Sequence, residues 1–204
     1  QRGAKAYIDN CVGCHSLKYM RYNRMAEDIG IGEADLRKDY ILGEAKPGDQ
    51  MAIPMRPEDA EKWFGVAVPD LTLVTRWRSP DWVYTYLKSF YTDPTRPWGV
   101  NNLVFPAVGM PHVLQGLQGV QEPVLGEHHG EGTAAPTGVK LVQPGKLSAE
   151  QYDAVVRDLT NFLTYAGEPM RLERQRLGWY VLGFLALFFV LAYLLKKEYW
   201  KDIH

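Results

Sequence analysis

The chain has 204 residues, 46% of them hydrophobic, and a formal net charge of −1. That length suits one domain of ordinary size with something appended. The near-neutral charge lacks the basic excess that nucleic-acid binding needs, and the two cysteines share one short motif, so no separate structural disulfide is expected.

From the start of the chain, Ala4, Tyr7, Ile8 and Cys11 recur at helical spacing, with no β-rich run. Gln1 already stands inside this pattern and no charged-then-apolar leader is visible, so the sequence reads as a mature chain with room for residues ahead of it. The stretch "NCVGCHS", residues 10–16, then sets Cys11, Cys14 and His15 side by side. Three chemistries use such a cluster. A thioredoxin-like pair belongs at the start of a helix after a strand, whereas these cysteines end a helical pattern. A structural zinc site wants four ligands, and no second cysteine pair exists. C-x-x-C-H is the attachment signature of c-type haem: each thiol adds across one porphyrin vinyl group and the adjacent imidazole reaches the iron. The spacing selects this third chemistry, one covalently bound haem c. Such attachment takes place on the outer face of an energy-transducing membrane.

Beyond the motif, Lys18, Arg21 and Arg24 read as a solvated face. "GEAKPGDQMAIPMRPEDAEKWFG" is turn-rich, with a short helix from Pro57, since proline suits the first helical position. "SPDWVYTYLKSFY" reads as a helix capped by Ser79, with Val83, Tyr86, Leu87 and Phe90 as its apolar face. "DPTRPWGVNN" reads as loop. "QEPVLGEHHGEGTAAPTGVKLVQPG" reads as a surface excursion with a small hairpin from residues 124–125 and 139–142, and with His128 and His129 solvated. "LSAEQYDAVVRDLTNFLTYAGEP" is a long helix opened by a Ser148/Gln151 capping box. Tyr152, Val155, Val156, Leu159, Phe162 and Leu163 line one of its faces. This helix, packed across the first, is expected to wall the haem on a second side. The fold class expected for residues 1–176 is all-α, a c-type cytochrome domain with loop insertions and the small β-hairpin excursion.

Residues 177–195, "LGWYVLGFLALFFVLAYLL", carry no charge. As a helix they rise about 28 Å, close to the hydrocarbon thickness of a bilayer. Trp179, Tyr180, Tyr193, Tyr199 and Trp200 sit near the ends, where aromatic belts belong. One C-terminal transmembrane helix is expected, in contact with membrane lipid, leaving a tail at residues 196–204. Arg171, Arg174 and Arg176 before the span balance Lys196, Lys197 and Lys201 after it, so flanking charge does not orient it. The haem motif does, placing residues 1–176 on the periplasmic or intermembrane-space side and the tail in cytoplasm or matrix.

A haem held by His15 has a second face. Left open, its iron binds gases or activates oxygen; filled by a thioether, it is six-coordinate and suited to electron transfer at a raised potential. Met20 and Met25 lie too near Cys14 to swing round the porphyrin, and Met170 sits at the membrane entry. Met51 and Met55 occupy a proline-interrupted loop. Met110, in "FPAVGMPHVL", lies between Gly109 and Pro111 in an apolar loop able to approach a haem face. Spacing puts Met110 first, with Met55 and His112 as alternatives, the last giving a bis-histidine haem.

The chain resembles the cytochrome c1 family, the membrane-anchored haem subunits of quinol–cytochrome c reductase (the bc1 complex), over nearly its whole length. "RGAKAYIDNCVGCHSLKYMRYN" is similar to the family's haem-attachment segment, and "VPDLTLVTRWR" to its P-D-L-S-x-x-x-x-x-R stretch. "FPAVGMP" resembles the segment bearing the methionine ligand, and "DLTNFLTYAGEPMRLERQRLG" the last soluble helix leading into the anchor. The resemblance implies that Cys11 and Cys14 form the thioethers and that His15 and Met110 are the axial ligands of the haem iron. It places Arg78 on a haem propionate, where a guanidinium fork suits a carboxylate, with Arg76 as the alternative. Trp82 stands where members often carry tyrosine.

The implied role is an electron-transfer subunit, not an enzyme in isolation, of a respiratory or photosynthetic chain in an energy-transducing membrane such as the bacterial inner membrane. It would take one electron from a mobile Rieske iron–sulfur protein and pass it to a cytochrome c. Its neighbours would be cytochrome b and, in a dimeric complex, a second copy. Glu58, Asp59 and Glu61 could steer a basic cytochrome c, or simply be a solvated helix start. Three rival readings remain at this point. They are another membrane-anchored c-type cytochrome of an oxidase or nitrite-reducing system, a haem gas sensor with an open distal position, and a thiol–disulfide oxidoreductase.

Overall fold

The computed structural model describes residues 1–126 and 135–203, so His128 and His129 lie outside the described residues. The chain divides into two units, Gln1–Gly167 and Glu168–His204. In the first, α1 (Arg2–Asn10) leads through the cysteine motif to β1 (Leu17–Arg21), α2 (Tyr22–Ile29) and α3 (Glu33–Asp35), which runs into a π-turn at Leu36–Tyr40. Then come β2 (Gln50–Met51), α4 (Pro57–Phe64), α5 (Val74–Trp77), α6 (Pro80–Lys88), β3 (Phe90–Thr92) and β4 (Val100–Asn102). The unit ends with α7 (Gln115–Gln118), β5 (Gly119–Leu125), β6 (Pro136–Pro144) and α8 (Ala149–Gly167). The strands pair only as antiparallel two-stranded ribbons, β1–β2, β3–β4 and β5–β6. Helices therefore carry the core.

That core is built where α1 crosses α8. Ala4, Tyr7 and Ile8 on α1 and Tyr152, Val156, Leu159, Phe162 and Leu163 on α8 are buried, as their helical spacing requires. Gly3 sets the approach: a Cβ there would lie 1.9 Å from the Asp158 carbonyl oxygen, so glycine alone admits it. The Tyr7 and Phe162 rings meet at 5.6 Å. The α8 capping box forms in both directions, with the Gln151 N–H donating to Ser148 Oγ at 3.2 Å and the Ser148 N–H to Gln151 Oε1 at 2.9 Å.

Ser79 caps α6, accepting from the Trp82 N–H at 3.2 Å, and Val83 and Leu87 are buried. The helix stops at Lys88 instead of running through Phe90. Asn102 explains this: its Nδ2 donates to the Tyr86 carbonyl at 2.8 Å, and its Oδ1 accepts from Ser89 Oγ at 3.1 Å. These bonds meet groups orphaned at the helix end and turn the chain into β3. Part of the stretch read as loop thus pairs as β4, with Phe90 opposite Asn102. The hairpin is longer than its two apolar runs suggest, its register running from Gly119↔Pro144 to Leu125↔Pro136 with two irregularities.

The second unit is α9 (Arg171–Tyr199), followed by a short 3-10 turn at Lys201–Ile203. At 29 residues α9 is about 44 Å long and contains residues 177–195. It is long and apolar enough to cross a membrane, and none of its side chains is buried. Arg174 pairs with Glu168 at 2.6 Å, just ahead of the apolar stretch.

Candidate functional site

α1 delivers the cysteine motif. Cys11 caps the helix with its N–H bonded to the Tyr7 carbonyl, and the N–H groups of Cys14 and His15 turn back onto the Cys11 carbonyl at 3.1 and 2.9 Å. The Tyr7 hydroxyl donates to the His15 carbonyl at 2.6 Å, fastening the turn to the buried face of α1. Cys11, Cys14 and His15 line one cleft together with Gly109, Met110 and Pro111, and Phe64, Val66 and Val68 add apolar lining. α8 contributes nothing to this lining. The expectation that it walls the cleft gives way to a supporting role, because α1 lies on it at Gly3.

His15 Nδ1 lies 2.7 Å from the Pro69 carbonyl. A carbonyl only accepts, so Nδ1 carries the proton and the Nε2 lone pair is left for a metal. Burial lowers the imidazole pKa, against the raising effect of that same bond, and favours the neutral ligand form. Burial also pushes the Cys11 thiol up to about 12, with Cys14 adding to the effect. A shift in that direction makes Cys11 a poor nucleophile for thiol–disulfide exchange.

Ahead of Met110, Arg96 donates to the carbonyls of Ala107 and Val108 at 2.8 and 3.3 Å. Ala107 takes a positive φ of 60°, strained for a residue with a Cβ. A Cβ at Gly109 would come within 2.8 Å of a Val66 methyl, so that side chain would have to move aside. Met110 follows, and the Tyr86 hydroxyl donates to its Sδ at 3.4 Å.

The other ligand candidates separate cleanly. Met20, Met25 and Met51 are fully buried in the main core. Neither Met55 nor His112 lines the cleft. The His112 ring stacks on Phe90 at 4.6 Å and pairs through Nε2 with Gln118 Oε1 at 2.8 Å. Burial brings its pKa down to about 4, against the Gln118 bond.

Arg78 is not in the cleft lining. Its guanidinium lies 4.1 Å from the Trp77 ring, 4.9 Å from Trp82 and 5.6 Å from Phe105. Its Nε is buried with no hydrogen-bond partner among the described residues. An unmet buried donor of this kind costs about 1–3 kcal/mol and is suited to a carboxylate acceptor. Arg76 is exposed, its Cγ beside Gly167. Of the acidic patch, Asp59 is tied to Arg56 at 2.8 Å while Glu58 and Glu61 are exposed.

Two thiols, an imidazole with Nε2 available and a thioether thus line one apolar cleft, a donor set that fits a covalently attached haem with two axial ligands. Sequence reasoning missed the Pro69 carbonyl, Tyr7, Arg96 and the contact of Tyr86. Tyr7 and Tyr86 each left a signal as an apolar position at helical spacing, which says nothing of what the hydroxyl meets.

Among known proteins, the model of the cytochrome C1 family matches residues 1–120 and 140–203. The chain is 66% identical over its whole length to cytochrome c1 of Allochromatium vinosum, covering 84% of that protein. It is 48% identical, again over its whole length and covering 83% of the relative, to a Nitrosomonas europaea protein named ammonia monooxygenase gamma subunit. Against cytochrome b/c1 of Bradyrhizobium diazoefficiens the identity is 30%, with 33% of that longer protein covered.

Proposed function

The chain belongs to the cytochrome c1 family, and we propose that it works as a membrane-anchored relay, taking one electron from a Rieske iron–sulfur protein and passing it to a soluble or tethered cytochrome c. Members of the family carry one covalent haem c and are electron-transfer subunits of the bc1 complex, not enzymes in isolation. The observation that carries the reading is the cleft itself, lined by Cys11, Cys14 and His15 together with Met110.

The haem, when bound, supplies an iron that gains and loses one electron without forming a bond to either partner. The chain's residues do the rest. Cys11 and Cys14 would hold the porphyrin by thioethers, and His15 Nε2 and Met110 Sδ would be the protein's donors to its iron. The Pro69 carbonyl fixes the imidazole's tautomer and plane. Phe64, Val66 and Val68 keep water off, which disfavours the extra positive charge of the oxidised state and raises the potential. Arg78, fixed by its aromatic clamp, meets a propionate. α9 spans the membrane beside cytochrome b in a dimeric complex. Residues 1–176 then lie on the periplasmic or intermembrane-space side and residues 196–204 on the other.

The test is kinetic. In the assembled complex, quinol should reduce this haem by one electron, added cytochrome c should reoxidise it, and removal of the iron–sulfur protein should abolish the first step. Undiminished haem reduction without that protein would overturn the route.

A further inference from the structure

We propose that the Tyr86 hydroxyl, by donating to the Met110 sulfur, raises the potential of the bound haem. The inference rests on Met110 being the distal ligand and assigns a positioning residue behind it. Tyr86 belongs to a continuous stack. The Arg78 guanidinium lies over Trp82, and Trp82 stacks on Tyr86 at 5.0 Å and 11°. Tyr86 meets Phe90 edge-on at 5.0 Å and 69°, and Phe90 stacks on His112. Trp82 and Tyr86 lie four residues apart on α6 and so are neighbours on its surface, with Arg78 just ahead of the helix. Held between Trp82 and Phe90, the phenol has its direction set, and its hydroxyl bonds Met110 Sδ at 3.4 Å.

Packing does not require that hydroxyl. Phenylalanine would fill the same place in the stack, and a buried hydroxyl costs free energy unless it is bonded. A phenol keeps its proton at physiological pH, so the group is a donor there. A thioether sulfur has two lone pairs and accepts weakly. One can serve a metal while the other accepts from Tyr86. A sulfur that shares density with a proton gives less to iron, and the oxidised iron, with its extra positive charge, loses more by this. The bond therefore favours the reduced state, an outer-shell control of potential.

The test is potentiometry on the full haem-loaded chain, comparing wild type with Tyr86→Phe. The variant should have the lower potential, with the oxidised-to-reduced ratio at a fixed poise rising about two- to tenfold, the range of one ordinary hydrogen bond. The far-red sulfur-to-iron charge-transfer band should shift. Site-specific 3-fluorotyrosine at position 86, a stronger donor, should move the potential the other way, and it tests the bond should Tyr86→Phe fail to fold. An unchanged potential in Tyr86→Phe, or with fluorotyrosine, would overturn the proposal while Met110 remained the ligand. A wild-type chain with no far-red band would overturn Met110 ligation, and this inference with it.

Discussion

His15 and Met110 face one cleft from walls of different construction. The His15 side stands on the main core: α1 lies on α8 at Gly3, Tyr7 is wholly buried, and its hydroxyl holds the motif's backbone. The Met110 side stands on a satellite in which only Phe90, Val100 and Val108 are buried, with Tyr86 and Met110 packed against them. Its loop is held by the Arg96 guanidinium and by neighbouring side chains. A wall continuous with the main core opens only when the domain unfolds, whereas a wall on a small satellite opens locally at lower free energy. The proximal ligand is thus built to stay and the distal ligand to yield first.

The strongest way to break this contrast is Gly3→Ala. The new Cβ cannot coexist with the Asp158 carbonyl at 1.9 Å, so α1 and α8 must part. Overpacking of this kind should cost about 3 kcal/mol. Thermal unfolding of the full chain in detergent should show helix signal and haem-ligand signal falling together at a lower temperature. Arg96→Ala attacks the other wall. Loss of the bonds to Ala107 and Val108 should weaken the distal loop by about 1–2 kcal/mol. In a denaturant titration the far-red band should then vanish earlier than in wild type, with the loss of helix unmoved. A shift of both together would mean that the walls are one cooperative unit.

The smallest expected effect sharpens the comparison through pH. Asp93, in the β3–β4 turn, accepts from the Thr95 hydroxyl and the Asn101 amide, bonds that hold its carboxyl below the usual range. A folded-state pKa below the unfolded one means that the unfolded chain binds more protons in acid. The contribution is therefore complete above the ordinary carboxylate pKa and is lost as pH falls through the depressed one. Wild type should be slightly more stable than Asp93→Asn at neutral pH, the gap closing on acidification, as read from melting temperature against pH. A gap independent of pH would show that the carboxylate's charge plays no part.

The same division governs what was legible in the sequence. The proximal wall is written in one stretch: helical spacing up to Cys11, then C-x-x-C-H. The α8 capping box and the apolar run of α9 are equally local, and each formed where its residues predicted. The distal wall is tertiary. Spacing left Met55 and His112 beside Met110 as ligand candidates, and only the fold, which places Met110 in the cleft, separates them. β4 was hidden because Asn101 and Asn102 are polar, and Asn102 is buried for its bonds to Tyr86 and Ser89. The Pro69 carbonyl is a backbone group, which no side-chain pattern announces. Periodicity placed Tyr86 on an apolar face without saying what its hydroxyl would meet.

The most direct measurement is the absorption spectrum of the purified, haem-loaded chain, oxidised and reduced, before and after carbon monoxide, with Met110→Ala beside wild type. A c-type reduced spectrum is expected, with a far-red sulfur-to-iron band when oxidised, no carbon monoxide shift in wild type, and loss of the band in the variant. A ready carbon monoxide shift in the wild-type chain would show an open iron and contradict the closed His15/Met110 electron carrier.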